Sequence, residues 1–398
     1  MHIAPDERPA INLVDPDLYS RGDPFSQWRW LRANAPVFRH PVTDLPGFWA
    51  LTSYEDVRST YRDAATFSSA NGILLRPTGH GKDSGGGRTL ALTDPPRHRQ
   101  LRELVDSWFA TRSIRALEPK MEKITQTVVD RALELGTCDF VADVAARVPL
   151  YVICDMMGIP ESDWALLYGL TSQAFGAGDA TAQRIAHLQI MSYFDDLRAT
   201  KARQPTEDLV SVLATAEIDG VRLPAEDVIL NCDNLLVGGT ENTRISASGG
   251  MLALLERPEQ WAILAADIHL LPSAVEEVLR WTSTATHIAR TATRPVELRG
   301  TTIAQGDIVT LWLPSANRDE TVFDDPDRFD VRRKPNRHLA LGFGEHFCLG
   351  NVLARVELTL LYRELLNRSV RVELAEEPTL LRSIVVNGPE RMPVHLRA

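Results

Sequence analysis

His338-Leu-Ala-Leu-Gly342-Phe-Gly344-Glu-His346-Phe-Cys348-Leu-Gly350, followed by Asn351-Val-Leu-Ala-Arg355-Val-Glu357, carries the chain from a glycine-rich turn through a cysteine into a helix. From Leu349 the apolar residues Val352, Leu353, Val356, Leu360, Leu361 and Leu365 recur at helical spacing. Cys348 is therefore expected at a helix amino terminus, where the macrodipole favours a thiolate. Gly342 and Gly344 leave room for backbone N–H groups to approach the sulfur, and a thiolate accepting such bonds can bind iron. Taken alone, the stretch fits an inert buried cysteine beside a tight turn better than a metal site, so the rest of the chain has to decide.

Upstream, no proline interrupts Pro224 to Glu256 and Pro258 follows, which predicts a helix of about 33 residues, near 50 Å long. Gly238-Gly239 sits inside it after the apolar run Leu235-Leu236-Val237, and each glycine costs about 1 kcal/mol relative to alanine there. Something is expected to need access to the backbone at that point. Residues 97–135 and 142–200 carry helical periodicity, whereas Phe48–Val57, Val296–Leu313 and Ile384–Leu396 have the β-branched, turn-bounded look of strands. The glycines of Gly79–Gly87 predict a loop that could serve as a lid. The reading is a mainly α fold with small β-sheets (α+β), in which 398 residues leave one large or two smaller domains open.

Composition narrows the function. Lys and Arg total 43 against 53 Asp and Glu, a formal charge of −10, which disfavours a phosphate-backbone partner, so no nucleic acid is expected. The amino terminus lacks a positive stretch followed by an apolar run, and no window approaches a membrane span, so neither export nor a membrane anchor is expected. Cys138, Cys154, Cys232 and Cys348 lack the short intervals of a zinc or redox motif, which predicts reduced thiols in the cytoplasm.

Three further segments accompany the cysteine loop: Ala91-Leu-Thr-Asp-Pro-Pro-Arg-His98-Arg-Gln-Leu-Arg102, Gly238-Gly-Thr-Glu241-Asn242-Thr243, and Glu276-Glu277-Val-Leu-Arg280. Asp94 before Pro95 looks like a helix cap, placing His98 and Arg102 four apart on one face, where a basic pair could grip carboxylates. Ser273-Ala-Val-Glu276 is a capping-box pattern, so a helix is expected to begin there, with Glu277 and Arg280 three apart on one face. In order and spacing, over nearly the whole chain, these segments resemble cytochrome P450, the haem-thiolate monooxygenases.

The resemblance implies the cytochrome P450 fold in one domain over residues 1–398, with the long central helix over haem b (iron-protoporphyrin IX) and Cys348 as the iron ligand. Gly342, Phe343 and Gly350 would belong to the ligand loop. His98, Arg102, Arg290 and His346 would meet the haem propionates. Arg328 would join Glu277 and Arg280 in a buried network behind the haem. Leu341 stands where the family's loop normally starts with an aromatic residue, which implies altered redox tuning more than lost haem.

On the other side of the haem, Gly238 and Gly239 would make room for dioxygen, and Glu241 matches the family's acid. Asn242 stands where the family usually has threonine, and Thr243 is one helical step of about 100° away. A substrate polar group or a water is therefore expected to complete proton delivery from Glu241. The expected reaction inserts one oxygen atom from O2 into a C–H bond (hydroxylation or epoxidation) of a small organic substrate, the classes implied by the resemblance being polyketide, peptide or macrolide intermediates of secondary metabolism. Phenol coupling or another oxidative rearrangement, or a catalytically silent binding relative, stays open as an alternative.

Electrons would come from a separate ferredoxin and ferredoxin reductase, with Arg332, Arg333, Lys334 and Arg337 as a candidate docking patch. A monomer is expected. By family position the substrate pocket should draw on residues 73–88, 175–181, 234–243, 284–288 and 384–388, with Asn234, Thr284, Thr286, His287 and Asn387 as its polar lining.

Overall fold

One uninterrupted helix, Ala225–Leu255, forms the spine of the protein, with Pro224 and Glu256 as its flanking caps. Its 31 residues span about 46 Å. This computed structural model describes residues 10–75, 85–175 and 179–397, so the expected lid at 79–87 lies largely outside the described residues. Hydroxyl side chains buried along the helix bond back to its own carbonyls. Thr240 Oγ1 donates to Leu236 O and Ser248 Oγ to Arg244 O, both at 2.9 Å, which satisfies them without a partner helix.

Helices Arg147–Met156, Ala180–Arg203, Leu271–Thr282 and Asn351–Asn367 pack around this spine. Small residues permit the closest crossing. A Cβ on Gly250 would lie 2.3 Å from Tyr362 Oη and 2.6 Å from Val278 Cγ1, far inside van der Waals contact. The Tyr362 hydroxyl donates to Ala247 O at 3.0 Å, fixing the helix Asn351–Asn367 against the spine. One apolar core gathers Met251, Val278, Phe329, Leu358 and Tyr362, and a second gathers Ile153, Phe194, Cys232, Leu236 and Leu353, so the spine contributes to both.

The sheets are small. The largest has five strands in the order β1-β2-β5-β4-β3, with β1 Val37–His40, β2 Phe48–Leu51, β3 Phe67–Ser68, β4 Ile288–Ala292 and β5 Ile308–Leu311. β5 runs parallel to β2 and antiparallel to β4, pairing Val309 with both Trp49 and Arg290. The expected strand over Phe48–Val57 stops at Leu51, because the Ser53 side chain caps a helix over Tyr54–Arg62. Within Val296–Leu313 three short strands occur, and the region from Ile384 becomes strand only at Pro389. The expected helical stretch 97–135 breaks at Ala110 into Arg97–Phe109 and Thr111–Leu135.

The capping-box expectation is corrected. The helix begins at Leu271, and Ser273 Oγ instead donates to Leu270 O and to Val331 O. Glu276 is then free to bind His338 and Arg355. Glu277 and Arg280 are wholly buried and joined at 2.7 and 2.8 Å. The third cation is Arg333, not Arg328. Arg333 Nε lies 3.1 Å from Glu277 Oε2, whereas Arg328 is exposed and contributes its backbone carbonyl, which accepts from both Arg280 and Arg333. Asn336 Nδ2 and Asp330 N donate to Glu277 as well, at 3.0 and 2.9 Å, so both carboxylate oxygens are saturated.

Removing one member of a buried network leaves the others unpaired at about 3 to 5 kcal/mol. Arg333→Ala should therefore lower unfolding free energy by about 3 to 5 kcal/mol, while Arg328→Ala, which keeps the carbonyl, should stay within about 0.5 kcal/mol of the parent protein. Urea unfolding of the two variants checks this, and equal losses would refute the assignment.

Candidate functional site

The cysteine loop closes on itself before its helix starts. Cys348 N donates to Leu341 O at 2.9 Å, and Gly342 and Gly344 hold φ of +72° and +71°, a region that disfavours side chains. Gly344 is also pressed against the helix Tyr54–Arg62, since a Cβ there would lie 2.7 Å from Tyr61 O. The helix expected from Leu349 begins at Asn351, with Gly350 as its cap. Cys348 thus stands just ahead of the helix, and the N–H directed at its sulfur is that of Gly350, not those of Gly342 and Gly344. Burial pushes the Cys348 thiol up, against the lowering pull of the Gly350 N–H, Arg102 and Arg355.

Cys348 lies on the wall of a cavity of about 310 Å³. Gly342, His346 and Gly350 from the loop, His98 and Arg102 from the helix Arg97–Phe109, and Arg290 from β4 share that wall. Gly238, Gly239, Asn242 and Thr243 face them from the central helix. The two glycines differ: a Cβ on Gly238 would meet nothing within 4 Å, whereas one on Gly239 would lie 3.0 Å from Ile153 Cγ1. Gly238 opens the helix toward the cavity, and Gly239 lets a neighbouring helix approach.

Two of the expected residues stand apart from this wall. Phe343 lies under the guanidinium groups of Arg58 and Arg62, 5.0 and 5.2 Å from its ring centroid, and is absent from the lining. Glu241 faces a second cavity of about 170 Å³ shared with Thr240, Arg244, Tyr168 and Glu390, where Arg244 Nη2 binds its carboxylate at 2.7 Å. Asn242 Oδ1 accepts from the Thr284 hydroxyl at 2.9 Å, tying the central helix to the segment before β4.

The electrostatics of the wall are lopsided. Arg290 is buried, its Nη1 donates to Ala289 O at 2.9 Å, and burial lowers its pKa. Among the described residues no ion pair joins it to a carboxylate. Neither ring nitrogen of buried His98 has a hydrogen-bond partner among the described residues. His346 is held neutral, its pKa pushed down to about 3 by burial and then by Arg290, His98 and Arg102, and its Nε2 lies 3.1 Å from Ser69 Oγ. The rings of His98 and His346 stand 4.2 Å apart. Arg102 turns toward the loop, donating to Phe347 O at 2.8 Å.

Asp94 is not the expected cap. Pro96 occupies that position, and the Asp94 carboxylate instead accepts from Ser69 N at 2.8 Å and from the Ser68 hydroxyl, fastening the helix start to β3. Of the expected pocket segments, Ile73, Asn234, Thr284 and Ile288 line the cavity. Thr286, His287 and Asn387 do not. His287 is buried within the fold, pushed down to about 4 by burial, and bridges Leu75 N and Ile384 O. Residues 76–84 and 176–178 lie outside the described residues. Sequence reasoning missed Tyr61, Ser246 and Glu357, all in the lining. Glu357 alone left a signal, an acid set among apolar neighbours on an amphipathic helix.

A lone thiolate supplies one ligand, so an iron bound there must bring the rest of its coordination with it. The orphaned His98 ring, the unpaired buried Arg290 and Arg102 beside them suit a flat group carrying carboxylates. The donor set therefore fits a haem.

Comparison with known proteins agrees. The "Cytochrome P450" family profile matches residues 262–391. The chain is 36% identical over 399 residues to Cytochrome P450 NovI of Streptomyces niveus, covering 99% of this chain and 98% of that protein. It is 38% identical over 399 residues to the Steroid C26-monooxygenase of Mycolicibacterium smegmatis, covering 97% and 96%. The crystal structure of P450 OxyD, described as involved in the biosynthesis of vancomycin-type antibiotics, superposes with a TM-score of 0.89 at 36% identity, covering 98% of this chain and 100% of that one. With whole-length identity above a third, the same fold and a cavity built to take a carboxylate-bearing group above a cysteine, the chain belongs to the cytochrome P450 family and is a haem b monooxygenase.

Proposed function

We propose that this enzyme inserts one oxygen atom of O2 into a C–H bond of a secondary-metabolite intermediate, with Cys348 as the iron ligand. The observation that carries the reading is the convergence of Cys348, His98, Arg102, Arg290 and His346 on one cavity beneath the opening at Gly238. The haem supplies dioxygen activation, with electron push from the thiolate. The chain's own residues do the rest. Arg290, Arg102 and His98 bind the haem carboxylates through donors that have no competing carboxylate at Arg290. His346, its pKa lowered by burial, would contribute packing and a hydrogen bond beside them. Gly342, Gly344 and Gly350 hold the loop so that Cys348 faces the cavity.

The substrate side of the cavity mixes apolar residues such as Ile73, Leu235 and Ile288 with Asn234, Asn242, Ser246 and Thr284. That mixture suits a natural-product scaffold bearing hydroxyl or amide groups better than a bare hydrocarbon. The involvement of OxyD in the biosynthesis of vancomycin-type antibiotics supports the same class. Electrons come from a ferredoxin and its reductase. Arg333 is taken into the Glu277 network, so the docking patch reduces to exposed Arg332, Lys334 and Arg337, with Arg58 and Arg62 over Phe343 adding positive charge beside the cysteine loop.

The purified protein should be red, and its ferrous CO form should show the strongly red-shifted Soret band of a thiolate ligand. Cys348→Ala should abolish that band; its survival would refute the ligand assignment. A screen of natural-product scaffolds for the low-spin to high-spin shift should find a binder whose turnover product gains the mass of one oxygen, and a dimer or a product without that gain would point away from insertion.

Asn242 gives its carbonyl to Thr284, and a carboxamide does not relay protons as a hydroxyl does. Glu241 borders the second cavity, and in this reading it exchanges protons with solvent through it. Glu241→Gln should therefore slow product formation about 100-fold or more, with Asn242→Ala milder. Product per reduced nicotinamide, with hydrogen peroxide as the leak, measures both, and the reverse ranking would contradict these roles.

A further inference from the structure

Asn234, Gly238, Asn242 and Ser246 follow one another at four-residue intervals on the central helix, and all of them line the cavity that holds Cys348. That interval keeps side chains on one helix face, so the cavity meets a polar stripe with a gap at Gly238, where a Cβ would touch nothing within 4 Å. Asn234 and Asn242 stand about 12 Å apart along the axis, with Gly238 midway between them.

The asparagines of this helix differ in what engages them. Asn231 is buried and used at both ends: its Oδ1 accepts from Leu90 N at 3.0 Å, and its Nδ2 donates to Arg88 O at 3.0 Å and to Asp227 O at 2.8 Å. It fastens the segment ahead of the helix Arg97–Phe109 to the spine. Asn242 gives its Oδ1 to the Thr284 hydroxyl, which fixes the carboxamide and leaves Nδ2 without an acceptor among the described residues. The Asn234 side chain makes no hydrogen bond to any described residue. A leucine of the same shape would line the cavity beside Leu235 and Ile288 with no polar group to satisfy, so packing alone does not call for a carboxamide at either place. Polar groups spared from the fold and set in an otherwise apolar wall are what orients a ligand.

Charge narrows the ligand further. The cationic and imidazole groups of the cavity, His98, Arg102, Arg290 and His346, belong to the carboxylate-binding wall, and burial pushes Glu357 well above the usual carboxylate range, which favours its uncharged form. The stripe itself is uncharged, so it suits an uncharged molecule. We propose that Asn234 and Asn242 anchor the substrate at two points and that the substrate is an uncharged chain bearing a carbonyl group and an amide group on either side of the carbon that is oxidised. Asn242 has only its donor to give, so Nδ2 donates to the substrate carbonyl. Asn234 has both donor and acceptor free and pairs with the amide, about 12 Å further along. The C–H bond that reacts lies between them, at the Gly238 opening. The proposal rests on the monooxygenase reading and deepens it, because a molecule lacking either group leaves a carboxamide unpaired and is rejected.

The test uses the haem-loaded enzyme as wild type, Asn234→Leu and Asn242→Leu, with three uncharged probes. These are N,N′-diacetyl diaminooctane, whose two amides match the spacing of the asparagines, its diaminobutane homologue, in which they stand too close, and N-acetyl octylamine, which has one amide. Calorimetry reads affinity without reference to turnover. Wild type should bind the matched diamide about tenfold more tightly than either of the other probes, and that preference should shrink to about twofold or less in each variant. Supplied with reduced nicotinamide, ferredoxin and ferredoxin reductase, wild type should oxidise the matched diamide at its middle carbons, whereas each variant should scatter oxidation along the chain.

Equal affinity of wild type for the three probes, binding of none of them, or a wild-type preference that survives in either variant would overturn the proposal, and so would a product pattern that neither substitution changes. If a leucine variant does not retain haem, the ranking of the three probes by wild type decides alone. Failure of the haem-thiolate reading would show separately, in the ferrous CO spectrum of the unsubstituted protein, and failure of oxygen insertion in products without the added mass of one oxygen while the calorimetric preference stands.

Discussion

The close approach of two helices at Gly250 sets the geometry of everything around the cavity. No side chain fits between the central helix and Tyr362 or Val278 there, and the Tyr362 hydroxyl bonds to the carbonyl of Ala247. The helix after the cysteine loop is thereby fixed to the spine at that junction. Cys348, just ahead of one helix, and Gly238, on the other, line the same cavity. Any enlargement at Gly250 would overpack this junction and move both faces of the site together.

Buried charge is distributed according to task. Behind the cysteine loop, Glu277 is saturated by Arg280, Arg333, Asn336 and the Asp330 N–H, and every donor has its acceptor. A network so completed holds its loops in one arrangement. On the cavity wall the opposite holds: among the described residues His98 has no hydrogen-bond partner and Arg290 no carboxylate partner. Buried groups left without partners call for an explanation, and a ligand bearing carboxylates would supply one under the proposed function. Glu241 is a third case, an acid kept outside the main cavity by Arg244 on the next turn of the same helix.

Local pattern made the central helix and the cysteine loop legible, because proline-free length and glycines before a cysteine are properties of contiguous residues. The 31-residue helix and the cavity placement of Cys348 agree with that reading, while His98, Arg102, Arg290 and His346, which share the cavity, are expected there from the family resemblance. What failed depended on tertiary partners. Arg333 displaced Arg328 because side-chain reach across a loop, not spacing along it, decides which cation meets Glu277. Ser273 and Asp94 look like caps in isolation, yet each is drawn to another segment, to Val331 and to Ser68 and Ser69. Thr286 carries the right chemistry on an element that borders the cavity and is turned away from it, and Glu241 faces the neighbouring cavity, an orientation that spacing alone does not give.

The central claim is that Cys348 alone carries the iron of a haem in this cavity. Iron K-edge X-ray absorption on the resting holoenzyme tests it most directly, because sulfur and nitrogen scatter distinguishably in the first coordination shell. The account predicts one sulfur neighbour among the haem nitrogens, lost when Cys348 is replaced by alanine. A first shell of nitrogen and oxygen alone in the unsubstituted protein, or a sulfur that survives the replacement, would contradict it.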